Sequence, residues 1–308
     1  MNESPATVSA PPRFNAPSAG ETLNASLRER VLEGLGLSEA PEPTVAGLRL
    51  LYGAWCRRVP FDNVRKLIHV RSGNAGPLPG HNAADYFEAW LRHGTGGTCW
   101  AGAGALDSLL VSLGFDTVRG VATMLAAPDL PPNHGTVVVR FEDASTRFLV
   151  DSSILHGEPL PLPAVDSARA IEHPAWGVQA SHLNGRPYIF WRPLHRTDGF
   201  ACRLDRFGAG AEEFAGLYEK TRPWSPFNYQ LTARLNRGES VVGASFGHAV
   251  SLLKDGSVSD APIAHQERVR MLIEDFGMSE EIVAQLPHDV PTPPPPGSQA
   301  AHDAPTSV

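Results

Sequence analysis

His134-Gly135-Thr136-Val137-Val138-Val139-Arg140-Phe141, followed by Glu142-Asp143-Ala144-Ser145 and then Thr146-Arg147-Phe148-Leu149-Val150-Asp151, is the stretch on which the fold turns. Two short β-branched runs flank a polar tetrapeptide, the pattern of a β-hairpin with strands over Thr136–Phe141 and Arg147–Ser152. If residue 142 pairs with residue 145, paired positions sum to 287, so Thr136 faces Asp151. Residues two apart share a face of a strand, which makes His134 and Asp151 diagonal neighbours, roughly 7 to 8 Å apart at the backbone. The same register gathers Val137, Val139 and Phe141 with Phe148 and Val150 on the opposite face. A slip of one residue would scatter both sets at once.

An imidazole beside a carboxylate is the general-base half of a nucleophilic triad, and the other half requires a thiol or hydroxyl. Among Cys56, Cys99 and Cys202, only Cys99 follows a glycine turn, Gly94-Thr95-Gly96-Gly97-Thr98-Cys99-Trp100, which leads into an apolar helix ending at Gly114. The unsatisfied N–H groups and dipole of a helix N-terminus favour a negatively charged sulfur, and nearby N–H groups can stabilise an oxyanion. Taken singly, a cysteine behind a turn, a loop histidine and a strand-end aspartate are ordinary structural residues. In register with one another, Cys99, His134 and Asp151 are expected to form the catalytic set. Cys56 and Cys202 read as packing residues.

Outward from this centre the chain changes character. From about residue 22 to 115 it is helical: Leu23, Leu27, Val31 and Leu35 recur every four residues. Pro43-Thr44 opens a second helix with Leu48, Leu51, Tyr52 and Trp55 on one face, and Ala83–Leu91 forms another. From 116 to 220 strands dominate, beginning with Thr117–Met124. From 221 to 289 the pattern is mixed, with strand-like Tyr229–Leu235 and Ser245–Leu253, a helix over Ala264–Phe276 capped by Gly277, and a short helix after Ser279. Helices, then strands, then a mixture define an α+β protein. The ends, 1–21 and 290–308, are rich in Pro, Ser and Ala and are expected to be disordered.

The 308 residues carry a formal net charge of −7, which speaks against nucleic acid as a partner. The cluster Arg57, Arg58, Arg65 and Lys66 reads as a solvated helix face, with a coenzyme phosphate as its alternative use. No apolar run approaches the roughly 18 to 20 residues of a membrane span, and no signal-peptide pattern opens the chain. No metal-ligand spacing occurs. Three cysteines without a disulfide framework fit a cytoplasmic, reducing setting. Phe141, Tyr188, Trp191, Trp224, Phe227 and Tyr229 are candidates for a pocket wall, and the loops Pro128–Asn133 and Trp224–Asn228 are the expected substrate contacts.

These residues resemble the arylamine N-acetyltransferase family. Thr95-Gly96-Gly97-Thr98-Cys99-Trp100 is similar to its Arg-Gly-Gly-x-Cys-Phe nucleophile segment, and Val59-Pro60-Phe61-Asp62-Asn63-Val64 to its Ile-Pro-Phe-Glu-Asn-Leu motif. Leu113-Gly114-Phe115, His134, Phe148-Leu149-Val150-Asp151 and the closing helix Glu267–Met278 follow in the family's order. The resemblance spans about 22–287. It implies a helical lobe (22–115), a central β-barrel (116–220) and a C-terminal α/β lid (221–289) around a cysteine-protease-like catalytic core. It also implies no permanent cofactor, acetyl-CoA or another acyl thioester as co-substrate, and ping-pong transfer through Cys99 to a small-molecule amine.

The sequence departs from the family pattern at Thr95 in place of Arg, at Ala101 and Ala103 in place of Glu and Asn, and at Ser152-Ser153-Ile154-Leu155 in place of Val-Gly-Phe-Gly. The two alanines are expected to widen the pocket, which would suit an amide synthase acting on chains bound to an acyl carrier protein. A papain- or transglutaminase-like cysteine hydrolase uses the same three residues with water as acceptor, and a non-catalytic binding protein is the third reading.

Overall fold

The structure, a computed structural model, describes residues 21–126, 130–141, 144–162, 169–170, 178–183, 185–194, 199–253 and 255–294. Most of the two ends expected to be disordered, and part of the Pro128–Asn133 loop, lie outside the described residues. Residues 290–294 are described and run along the body, where Val290 N donates to the Tyr229 carbonyl at 3.0 Å.

Five helices open the chain: α1 (Ala25–Gly34), α2 (Val45–Arg58), α3 (Val64–Arg71), α4 (Ala83–His93) and α5 (Cys99–Ser112). Asn24, Thr44 and Asn82 cap the first, second and fourth, each accepting from the N–H three residues on. Helix α3, not expected from the sequence reading, packs Val64, Leu67 and Ile68 on the C-terminal core beside its basic residues. It starts where the Asp62 carboxylate accepts the Val64 N–H at 3.0 Å. Helix α5 is apolar on all sides and runs through the middle of the first core, against α4 and the barrel strands.

Between α2 and α3 lies β1 (Phe61–Asp62). The strands that follow are β2 (Asp116–Met124), β3 (His134–Phe141), β4 (Ala144–Val150), β5 (Leu160–Leu162), β6 (Arg169–Ala170), β7 (Gln179–Leu183), β8 (Arg186–Trp191) and β9 (Phe200–Phe207). They form one antiparallel sheet in the order β5-β4-β3-β2-β9-β8-β7-β6, and its ends return to one another, β5 lying against β6 and β7. The result is a nearly closed barrel. Pairings Val137↔Val150, Val138↔Leu149 and Val139↔Phe148 carry the expected register. The turn differs: the register shifts after Val139, and Phe141 pairs with Ala144 rather than with residue 146, a bulge absorbing the change. Val137, Val139, Phe148 and Val150 pack on the helices, while Val138 and Leu149 face the barrel interior.

After β9 come α6 (Ala211–Glu219), a 3₁₀ turn at Pro226–Asn228, and the strands β10 (Thr232–Asn236), β11 (Ser240–Ser245), β12 (His248–Leu253) and β13 (Val258–Pro262), then α7 (His265–Glu274) and α8 (Glu280–Val283). Two expectations need correction here. The piece read as one strand over Ser245–Leu253 is the second half of a hairpin that turns at Phe246-Gly247, both at positive φ. The strand expected from Tyr229 starts at Thr232, because the chain is still leaving the 3₁₀ turn at Pro226–Asn228.

The second sheet runs β1-β10-β11-β12-β13, so a two-residue strand from the helical part of the chain is its edge. Phe61 also bridges Gly97, and Asp62 N donates to the Gly97 carbonyl at 3.3 Å. The glycine turn before Cys99 is thereby bonded to the C-terminal sheet through β1. A Cβ on Gly96 would overlap the Pro60 carbonyl oxygen. Gly96→Ala is therefore expected to lower stability by about 3 kcal/mol in urea titration, with the turn displaced.

Candidate active site

Cys99 is the first residue of α5 and is 5% exposed. Thr98, at the N-cap, makes no side-chain capping bond, so the first-turn N–H groups of α5 stay available beside the sulfur. Across from it, Asn133 closes the connection between β2 and β3. Its side chain accepts from Met124 N at 2.8 Å and donates to Met124 O at 3.2 Å, and its own carbonyl lies 3.6 Å from Cys99 Sγ. The next residue, His134, begins β3 opposite Ala122.

His134 Nε2 bonds Asp151 Oδ2 at 2.7 Å, which leaves Nδ1 for the sulfur. The histidine also has a hydrogen-bonding interaction with Cys99. Both His134 and Asp151 are buried. Burial disfavours the imidazolium, but the Asp151 charge and hydrogen bond, with the contribution of Cys99, outweigh it and raise the His134 pKa to about 10. Burial likewise pushes the Asp151 carboxyl up; the His134 charge and bonds from His134, Ile154 and Ser153 hold it well below the usual carboxylate range.

The sign of each shift sets a pH window. Asp151 contributes stability above its unfolded pKa of about 4, and His134 contributes fully below about 6.5, losing its share as pH rises toward 10. The urea midpoint of the protein minus that of His134→Gln should therefore be largest between about pH 4 and 6.5 and should shrink on either side.

Asp151 is held by more than its histidine. Oδ1 accepts from Ser153 N at 2.9 Å, Ser153 Oγ at 2.8 Å and Ile154 N at 2.9 Å. Ser153 stands where the family pattern has glycine, so this departure adds a hydroxyl to the carboxylate. Leu155, at the second of those glycines, has φ +53 and is fully buried; Asn236 Nδ2 holds its carbonyl at 2.8 Å. The Tyr52 hydroxyl donates to the Asp151 carbonyl at 2.7 Å and accepts from Asp151 N at 3.1 Å. Tyr52 entered the sequence reading only as an apolar face residue of α2. Tyr52→Phe leaves two buried backbone groups unpaired and should cost about 2 kcal/mol in thermal or urea unfolding.

Cys99 and His134 open onto a cavity of about 320 Å³. Of the aromatic residues proposed for a wall, Trp191, Trp224 and Phe227 line it, while Phe141, Tyr188 and Tyr229 do not. Both expected contact loops contribute, through Leu130 and Asn133 and through Trp224–Phe227, and Thr292 and Pro293 complete one side. Ala101 and Ala103 are buried outside the cavity wall, so they do not widen it. A Cβ at Gly80 would come within 2.7 Å of the Ala101 methyl, which shows how tightly that side of α5 is packed.

Lys66, read as part of a solvated face, is 3% exposed and lines the same cavity. Its ammonium donates to Thr221 Oγ1 at 3.0 Å and lies 5.4 Å from the Tyr218 ring centre. Burial lowers its pKa to about 7, against the raising effect of Cys99 and Glu219. A second lysine-like charge, Arg234, also lines the wall. The sequence reading placed Lys66 on a solvated face and did not single out Arg234, because the surroundings of both come from distant segments. Among the described residues, no group of three His, Cys, Asp or Glu could hold a metal, and no helix is long and apolar enough to cross a membrane.

No protein-family model matches the chain. A curated arylamine N-acetyltransferase from Mycolicibacterium smegmatis is 26% identical over 217 residues, covering 65% of this chain and 73% of the relative. The solved structure of arylamine N-acetyltransferase from M. tuberculosis superposes with a TM-score of 0.70 at 19% identity, covering 86% of this chain and 96% of that one. The chain resembles the arylamine N-acetyltransferases in sequence and in fold. The family's Mycobacterium marinum enzyme, solved in complex with CoA, gives a TM-score of 0.67 at 18% identity over 84% of this chain and 94% of its own. At these identities the likeness to solved structures establishes the α+β fold.

Proposed function

We propose that the protein is an N-acyltransferase that moves an acyl group from an acyl thioester, acetyl-CoA or a longer acyl-CoA, through Cys99 to a small-molecule amine. The observation that carries the reading is the chain of contacts Cys99–His134–Asp151 at the wall of a largely apolar cavity. The comparisons support it: the relatives are named for this activity, and one was solved with CoA.

The Cys99 thiolate attacks the thioester carbonyl, and the negative oxygen that forms lies within reach of the first-turn N–H groups of α5. Collapse breaks the donor's C–S bond, and His134 gives its proton to the departing sulfur. The amine then attacks the Cys99 thioester, His134 takes the proton from its nitrogen, and Cys99 leaves as thiolate. Asp151 keeps Nδ1 directed at the sulfur in both halves. No permanent cofactor is needed, since the acyl thioester is a co-substrate. Apolar walls formed by Phe61, Leu130, Trp191, Leu194, Trp224 and Phe227 disfavour water as the acceptor. The finer readings proposed here are an acyl carrier protein as alternative donor and a cytoplasmic, reducing location, the latter supported by three free cysteines.

The test is intact-mass analysis after incubation with acetyl-CoA, longer acyl-CoAs and acyl carrier protein thioesters. A Cys99-dependent adduct that amines discharge is the expected result. An adduct lost to water at the same rate with or without amine would make the protein a hydrolase, and no adduct from any donor would make it a binding protein.

A further inference from the structure

Arg234 sits in the middle of β10, flanked by β1 and β11, with Phe61 opposite it on one side and Gly243 on the other. It is 4% exposed, and its Nε, Nη1 and Nη2 have no hydrogen-bond partner. Two residues back on the same face is Thr232, paired with Ser245; the Thr232 and Ser245 hydroxyls are buried and unpartnered as well. Gly243 adds no side chain to this face, so the guanidinium has no neighbour there to pair with. Its Cζ lies 5.2 Å from the Trp191 ring centre, which covers one face and leaves the in-plane donors for something else. Arg234, Thr232, Ser245 and Trp191 all line the cavity that holds Cys99.

A buried guanidinium without a partner is strongly unfavourable, and one built against two equally unpartnered hydroxyls is a site that lacks its ligand. A planar fork of N–H donors matches the two oxygens of a carboxylate. The place argues for the reacting end of the substrate rather than a coenzyme's phosphates. Arg234 pairs with Phe61, and Phe61 bridges Gly97 of the nucleophile turn, so about two strand spacings, roughly 10 Å, separate Arg234 from that turn. It is also close enough to Asp151 to feel that carboxylate's charge. Among the described residues lining the cavity, Lys66, His134 and Arg234 are basic and no Asp or Glu is present.

We propose that Arg234, with Thr232 and Ser245, is a subsite for a carboxylate carried by the substrate, so that the protein handles an anionic acyl chain or an anionic amine. The inference rests on the acyl-transfer reading for the identity of the substrate and on the cavity alone for the binding. The binding is tested first, with inert probes: benzoate and the uncharged benzamide, followed by calorimetry on the wild-type protein, Arg234→Gln and Arg234→Lys. Benzoate should bind on the order of tenfold or more tightly than benzamide, Arg234→Gln should erase that preference, and Arg234→Lys should keep part of it.

Two kinetic arms then find which substrate bears the group. Loading of Cys99 by succinyl-CoA is compared with butyryl-CoA, and discharge of the acetylated protein by 4-aminobenzoate with 4-aminobenzamide. An Arg234-dependent preference in loading assigns the carboxylate to the acyl chain, and one in discharge assigns it to the amine; either supports the subsite. Equal binding of benzoate and benzamide by the wild type, with no Arg234-dependent preference in either arm, overturns it and leaves Arg234 as a charge that merely balances Asp151. If no thioester loads Cys99, acyl transfer itself fails, while the benzoate comparison still decides the subsite.

Discussion

Cys99→Ser should fold as the wild type does and lose acyl loading on the order of 10⁴-fold or more. The substitution is close to isosteric at the first position of α5, in a site 5% exposed, so the packing of Trp100, Ala101 and the glycine turn is retained. What changes is the nucleophile. A serine hydroxyl is far less acidic and less nucleophilic than a thiol, and the helix N-terminus is too weak to make up the difference. Cys56 and Cys202 cannot substitute, because burial raises the Cys56 pKa to about 12 and pushes that of Cys202 well above the ordinary value. Intact mass after acyl-CoA exposure, with circular dichroism to confirm folding, reads the outcome. Persistent loading of the serine variant at a rate within tenfold of wild type would place the nucleophile elsewhere.

Asp151→Asn should reduce the rate of acyl loading by roughly 10³- to 10⁴-fold while leaving the substrate cavity in place. The argument is geometric. Oδ1 already accepts three donors, from Ser153 N, Ser153 Oγ and Ile154 N. An asparagine must keep its carbonyl oxygen on that side, which turns its NH₂ toward His134 Nε2. The histidine then has to accept at Nε2 and carry its proton on Nδ1, the nitrogen that faces Cys99, so it cannot take a proton from the sulfur. The loss of the carboxylate charge also leaves only the contribution of Cys99 against burial, which disfavours the imidazolium. Single-turnover loading measures the effect; Asp151→Glu, which restores charge without the same fit, should recover part of it. A loading rate for Asp151→Asn within tenfold of wild type would remove Asp151 from the mechanism.

Some of this was readable along the chain because the relevant contacts are local. His134 and Asp151 are 17 positions apart across one hairpin, and the alternation of apolar residues fixes which of them share a face. The start of α5 at Cys99 follows from a glycine turn and an apolar run. The turn of the hairpin was misread by two residues, since a bulge after Val139 took up the difference without moving the residues beyond it. The basic cluster shows the opposite case. Arg57 and Arg58 remain at the surface, but α3 rotates Lys66 inward onto Thr221, 155 positions away, and no periodicity within eight residues encodes that.

Taken alone, the order of residues determined the α+β class, the helical start of the chain, the register of β3 on β4, the start of α5 at Cys99 and the nearness of His134 to Asp151, since each depends on neighbours within one element or one turn. The tertiary structure alone decided that Tyr52 grips the Asp151 backbone from 99 positions away, that Ala101 and Ala103 stand outside the cavity, and that Arg234 is enclosed there without a partner. The physical reason is the same for all three. Burial and pairing are properties of the space left when separate elements pack, and a side chain's partners in that space are set by segments whose distance along the chain carries no information about their distance in the fold.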